Sequence, residues 1–193
     1  MLQLYHSGKS IQEQSIEMKQ LKVICNMKNG REILVKDYIP EALLQLMKKK
    51  PYHTITITEL CEKAGVARVS FYRNYKSKDA VLVKLIEAIT ENFRSSTQIS
   101  YQNDPPEAFF VKLMTHMKNQ RDLCDLLYQA QMLYLVSDEF DRVFQSVYAG
   151  KYDPYKSSFI SGGIYSVFYH WLRSGWRETP REIADKLAEV LEK

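Results

Sequence analysis

In the run Arg68-Val69-Ser70-Phe71-Tyr72-Arg73-Asn74-Tyr75, two guanidinium groups, two hydroxyls and one small apolar side chain can share one side of a helix. At about 100° per residue, Phe71 and Tyr75 fall on one face. Val69 and Arg73 lie opposite, flanked by Ser70 and Tyr72, with Arg68 at the leading end. Such a set has a definite chemistry. A guanidinium can fork onto a guanine edge, hydroxyls can serve bases or phosphates, and Val69 can meet a thymine methyl. The same face also reads as an ordinary solvated surface, so the elements that position it must decide.

Those elements are legible upstream. Thr56 with Glu59 three residues later forms a capping box, and Ile55 with Leu60 a hydrophobic staple. The helix they open runs to Ala64, and Gly65 stops it because the residue after a helix end often needs positive φ. A second helix begins near Arg68, so that Phe71 and Tyr75 turn inward onto Leu60, Cys61, Ala64 and Val66. A short helix, a glycine turn and another short helix make a helix-turn-helix, which favours nucleic-acid recognition over a bland polar face.

The run Ile55 to Lys78 resembles the DNA-binding signature of the tetracycline-repressor (TetR) family of bacterial transcriptional regulators. The matching pieces are Ile-Thr-Ile-Thr-Glu-Leu, Ala-Gly-Val and Val-Ser-Phe-Tyr-Arg-Asn-Tyr-Lys-Ser-Lys, within a likeness spanning Ile39 to Leu85. The resemblance implies phosphate contacts from Thr58, Tyr72 and Lys78, and base-facing roles for Arg68, Val69, Ser70 and Arg73. One departure is Ala67, where the family usually carries a helix-capping Ser; Ala there costs about 0.5–2 kcal/mol of cap energy.

Charge supports this assignment modestly. Residues 28–94 hold 13 basic and 8 acidic side chains, whereas residues 95–193 hold 11 and 13. Only the segment with the helix-turn-helix is basic, as a nucleic-acid partner requires. The 193 residues suffice for a small DNA-binding domain and one further domain. Hydrophobic residues make up 45% and charged residues 26%, an ordinary globular balance. No apolar run approaches the ~20 residues needed to span a bilayer, and the first residues lack secretory features, so no membrane association and a cytoplasmic location are expected. Cys25, Cys61 and Cys124 have neither metal spacing nor a paired framework. Cys61 reads as core filler, and Cys25 or Cys124 as reduced thiols or redox sensors.

The chain divides into an N-terminal extension (1–27), a helix-turn-helix domain (28–78) and a helical ligand-binding and dimerisation domain (79–193). The extension has weak periodicity; it reads as a frayed segment, an extra helix from Ser15 to Cys25, or sequence upstream of a start at Met27. Glu41 to Lys49 is strongly helical, with Pro40 marking its first turn or a kink from a preceding turn. Ser77 caps a long helix from about Lys78 to Thr97. Further helices are expected from Pro105, from Arg121 to Val136, from Asp138 to Tyr148, from Asp153-Pro154 to Trp176, and from Thr179-Pro180 with Ile183, Leu187, Val190 and Leu191 on its apolar stripe. No segment alternates with the two-residue period of a strand. The fold class is all-α.

The second domain is rich in aromatics and methionines, a composition that suits either a plain core or an adaptable apolar pocket. Phe110, Met114, Met117, Tyr128, Met132, Phe144 and Phe168 are the candidate pocket residues, with His116 and His170 as polar handles or hydrogen-bonded structural histidines. Gly162 and Gly163 inside a helix cost about 1 kcal/mol each relative to Ala, which suggests close approach of another helix. With Tyr165, Trp171, Ala184 and Ala188 they form a candidate dimer interface, and the resemblance likewise implies pairing of the last two helices into a four-helix bundle. The stretch from Ser161 through Trp171 and Trp176 to Pro180 also resembles C-terminal domains of a subgroup that includes regulators of dihydroxyacetone kinase genes.

The sequence therefore points to a homodimeric DNA-binding regulator, in the family more often a repressor, acting on a pseudo-palindromic double-stranded operator. An unidentified small-molecule effector would act through the second domain, with no cofactor and no metal. The alternative is a helical interaction or co-activator protein of the same fold with little DNA specificity. No Walker loop, His-Glu-x-x-His or Gly-x-Ser-x-Gly motif supports an enzyme.

Overall fold

In a computed structural model of the chain, which describes residues 33–97, 106–147 and 153–191, every regular element among the described residues is helical. Residues 1–27 and Cys25 lie outside the described residues. Helix α1 (Ile33–Met47) is followed by a 3₁₀ turn (Tyr52–Thr54), α2 (Ile57–Ala64), α3 (Arg68–Asn74) and the long α4 (Lys78–Thr97). The second region comprises α5 (Pro106–Asn119), α6 (Arg121–Gln129), α7 (Tyr134–Val147), α8 (Pro154–Arg173) and α9 (Pro180–Leu191).

Side-chain caps set several of these boundaries. The Glu59 N–H donates to Thr56 Oγ1 at 3.2 Å, opening α2, and the Ala80 N–H donates to Ser77 Oγ at 3.1 Å, opening α4. Asp153 accepts from the N–H groups of Tyr155 and Lys156 at 2.9 and 3.1 Å, with Pro154 in the first turn of α8. Thr179 and Glu182 make a complete capping box: the Glu182 N–H reaches Thr179 Oγ1 at 3.3 Å, and the Thr179 N–H donates to the Glu182 carboxylate at 2.7 Å.

Of the two readings for Pro40, the one with a preceding helical turn holds: Pro40 sits inside α1, with one N–H missing from the ladder. Three expected boundaries move. The expected helix from Arg121 to Val136 is two helices. Gln131 adopts the left-handed region (φ 59°), the Gln131 N–H donates to Tyr128 O at 3.1 Å, and the Met132 N–H donates to Leu127 O at 2.8 Å. This paired bonding closes α6 without a glycine, and α7 starts at Tyr134 instead of Asp138. Helix α8 ends at Arg173, not Trp176, through the same pairing at Gly175 (φ 80°): the Trp176 N–H donates to Trp171 O at 3.0 Å, and the two indoles pack at 5.0 Å. Val190, expected on the buried stripe of α9, is 73% exposed.

Core residues run continuously from the first region to the second. Ile39, Leu43, Leu60, Phe71 and Leu82 are fully buried in the first, and Phe110, Met114, Leu127, Ile164, Phe168 and Trp171 in the second. Helix α4 belongs to both, packing on α1 with one part and on α7 with another. In the second region α5 packs on α9 and α7 on α8.

Candidate nucleic-acid interface and ligand cavity

Helix α3 is seated by two aromatic rings. Phe71 is fully buried and Tyr75 nearly so, with ring centroids 5.8 Å apart. Burying a large apolar side chain contributes about 1.5–3 kcal/mol, so these two rings fix which face turns outward. On that face Val69 is 71% exposed and Tyr72 50%, with Arg68 and Arg73 exposed beside them and Ser70 half-buried. Thr58, on α2, is also exposed. Apart from Lys78, the expected DNA-contacting residues are thus exposed or half-buried on α2 and α3, the two helices flanking the turn. Ala67 makes no side-chain cap, so α3 begins without that support.

Lys78 has a different position from the phosphate contact that the resemblance implies. Its ammonium donates to the carbonyls of Tyr52, Ile55 and His53 at 2.8, 3.0 and 3.4 Å and lies 4.4 Å from the Tyr52 ring centroid. An ammonium has three donors, and all three are directed at these carbonyls. Desolvation holds its pKa below the ordinary lysine value. Lys78 therefore ties the 3₁₀ turn, and with it the entry to α2, to the start of α4. The Tyr52 hydroxyl donates to Asp79 at the same junction. Nearby, Lys50 donates to the Glu59 carboxylate at 2.5 Å and, as the main cause, holds the Glu59 pKa below the usual carboxylate value.

A second lysine of α4, absent from the expected set, grips the recognition helix itself. Lys84 donates to Asn74 O at 2.8 Å and lies 5.1 Å from the Tyr75 ring centroid. It satisfies a carbonyl that the end of α3 leaves open, where positive charge is also favoured by the helix dipole. Six residues, about 240° of helix, separate it from Lys78, so no shared stripe in the sequence marks it as facing the head.

The same helix reaches an open cavity of about 370 Å³ lined by α4, α5, α6 and α7. Ile86, Ile89 and Phe93 of α4 face Phe109, Leu113 and Met117 of α5, while Leu123, Cys124 and Leu127 of α6 and Phe140 and Phe144 of α7 complete an apolar wall. Polar groups on the lining include Glu91 and Arg94 of α4, His116 of α5, Gln120 between α5 and α6, and Glu139 of α7. The His116 imidazole packs on the Phe93 ring at 4.4 Å and makes no side-chain hydrogen bond among the described residues; burial pushes its pKa down to about 4. Burial likewise pushes the Cys124 thiol up to about 12, which removes the thiolate that redox sensing needs.

Of the seven expected pocket residues, Met117 and Phe144 line this cavity. Phe110 and Met114 are buried one position round α5 from the lining stripe, about 100° away, and serve the core. Phe168 is fully buried and stacks against Phe140 at 6.1 Å, outside the lining. Met132 lies in the break between α6 and α7, and Tyr128 is 40% exposed with its ring 6.1 Å from Tyr169. Periodicity marks buried faces, and a cavity shared by four helices has no period of its own.

The expected dimer set also separates. Trp171, Ala184 and Ala188 are buried within the chain itself and therefore pack its own core, not a second copy. Tyr165 is half-buried, its ring 6.2 Å from Phe140. Gly162 and Gly163 are exposed, with nothing within 4 Å of where a Cβ would stand, so no close approach inside the chain explains them. Tyr155 and Phe159, 88% and 79% exposed, precede them on α8 at helical spacing and were not in the expected set.

Two family models match the chain. The one for bacterial regulatory proteins of the tetR family matches residues 39–85, and one for a transcriptional regulator C-terminal region of the tetR type matches residues 104–193. Among curated proteins, the uncharacterized HTH-type transcriptional regulator YxbF of Bacillus subtilis is 21% identical over 173 residues, 79% of this chain and 43% of that protein. The uncharacterized regulator YvkB of the same organism is 35% identical over 54 residues, 28% of this chain and 29% of that protein. The chain thus spans less than half the length of these relatives. Among solved structures, a TetR transcriptional regulator from Streptococcus agalactiae superposes with a TM-score of 0.57 at 17% identity, covering 93% of this chain and 99% of that one. FadR from Bacillus subtilis, solved with stearoyl-CoA, superposes at 0.51 and 13% identity, covering 80% and 96%. At these identities the structural likeness shows the fold alone.

Proposed function

Because the chain belongs to the tetracycline-repressor (TetR) family of bacterial transcriptional regulators, we propose that it is a homodimeric, sequence-specific DNA-binding protein, a repressor whose affinity is set by a small molecule in the α4–α7 cavity. The observation that carries the proposal is α4. One continuous helix holds the reading head through Lys78 and Lys84 and lines the cavity from Ile86 to Arg94. An occupant that displaces α4 would reposition α3 without any other linkage. Arg68, Val69, Ser70 and Arg73 would read base edges, while Thr58 and Tyr72 would hold phosphates. The exposed face of α8, with Tyr155, Phe159 and the two glycines, is where a second copy would pack. A two-fold dimer would require an inverted-repeat operator.

Selection from a random duplex library tests this reading. Enrichment of an inverted repeat, bound by a dimer, is the expected result. Binding with no preference among duplexes would instead support a helical interaction protein of the same fold.

A further inference from the structure

The charged groups on the cavity wall differ in how completely they are paired. Glu139 is buried, and both of its oxygens accept from Arg142, at 2.6 and 2.7 Å. That carboxylate is neutralised before any ligand arrives. Arg94 is the opposite case: its guanidinium has five donors, and among the described residues its one ion pair is a long 3.6 Å contact to Glu91. The Glu91 side chain is itself 68% exposed, so water competes for it. Glu91, Arg94 and Ser95 are the exposed members of the lining, which places the cavity mouth at the last turns of α4. His116 of α5 and Gln120, just past the end of that helix, are further polar groups of the lining. The remaining wall is mostly aliphatic and aromatic.

We propose that this cavity takes an amphipathic organic acid, its apolar body against Phe109, Phe140 and Phe144 and its anionic head on the Arg94 guanidinium at the mouth. The proposal rests on reading the cavity as the effector site. A carboxylate or phosphate matches the fork geometry of a guanidinium and makes charge-assisted hydrogen bonds with it. A lipophilic cation would gain from the phenyl faces. It would also need an uncommitted carboxylate, and Glu139 is already paired while Glu91 stands in solvent. The volume of about 370 Å³ is at the small end of ligand cavities, which limits the body to a single chain or a small ring system.

The test uses three probes that share one alkyl chain: decanoate, decanol and decyltrimethylammonium, each titrated calorimetrically into the full chain near neutral pH. Wild type is compared with Arg94→Gln, whose exposed position preserves folding, and with Val143→Trp, which fills the cavity. The expected result is that decanoate binds at least about tenfold more tightly than decanol, as a charged hydrogen bond of 1.5–3 kcal/mol requires. Arg94→Gln should erase that difference, and Val143→Trp should abolish binding of both. Equal binding of decanol, or tighter binding of the ammonium, overturns the acid assignment while leaving the cavity as the effector site. Failure of all three probes to bind overturns the assignment together with the cavity reading.

Discussion

Lys78 in the reading head and His116 in the second region are both desolvated titratable groups, and they are treated in opposite ways. Lys78 meets three backbone carbonyls and an aromatic face, so its burial completes a structural joint. His116 has a ring neighbour but no side-chain hydrogen bond among the described residues, and it faces a void. The head is thus internally satisfied and directs its remaining polar groups outward from α3. The second region keeps polar groups around an internal space. A surface that reads DNA needs a rigid frame behind it, whereas a site that senses a ligand needs polar groups that the protein has left available.

The largest expected effect that sharpens this contrast is the pH dependence from His116. Its folded pKa of about 4 lies below the ordinary 6.5, so the unfolded chain binds the proton more readily. Stability contributed by the neutral imidazole is therefore full above pH 6.5 and lost as pH falls toward 4, at up to about 1.4 kcal/mol per pH unit. Urea unfolding across that window should show the loss, and His116→Phe should flatten it. A wild-type curve as flat as the variant's would mean that the imidazole is solvated.

Lys78→Met breaks the other side of the comparison. Removing an ammonium from three carbonyls should destabilise the head by about 1–3 kcal/mol, the penalty for buried polar groups left without partners. Affinity for DNA should fall while the slope of log affinity against log salt stays unchanged. A phosphate contact would behave differently, lowering the slope by about 1.

A smaller change runs in the stabilising direction. Ala67→Ser should supply the missing cap on α3 and raise thermal stability by about 0.5–2 kcal/mol. No gain in melting temperature would show that the backbone at position 67 is unsuited to capping.

The two regions also differ in how far their sequences disclosed them. In the head, each candidate base-facing side chain of α3 sits at a fixed spacing from Phe71 and Tyr75, so burial of two rings orients that whole face. Thr56, Gly65 and Ser77 mark the boundaries by their own chemistry. What spacing could not supply was the partner of Lys78, because a lysine at a helix start serves a phosphate or a carbonyl equally well. In the second region Phe110 and Met114 were indistinguishable from Phe109 and Met117 by type. Only their angular position relative to three other helices decides which face the cavity. Trp171, Ala184 and Ala188 looked like an interface because small and aromatic residues on a stripe fit an internal seam as well as an external one. The break at Gln131 was hidden because its left-handed backbone is held by bonds to Tyr128 and Leu127 rather than by a glycine.

The central claim is that the outward face of α3 reads base edges. The most direct measurement titrates the selected duplex, at several salt concentrations, with wild type and Arg73→Ala. The account predicts a loss of about 1–3 kcal/mol in binding to the selected site, relaxed sequence preference at one position of each half-site, and an unchanged melting temperature. Equal affinity of the two proteins for that duplex, with the same preference at every position, would contradict it.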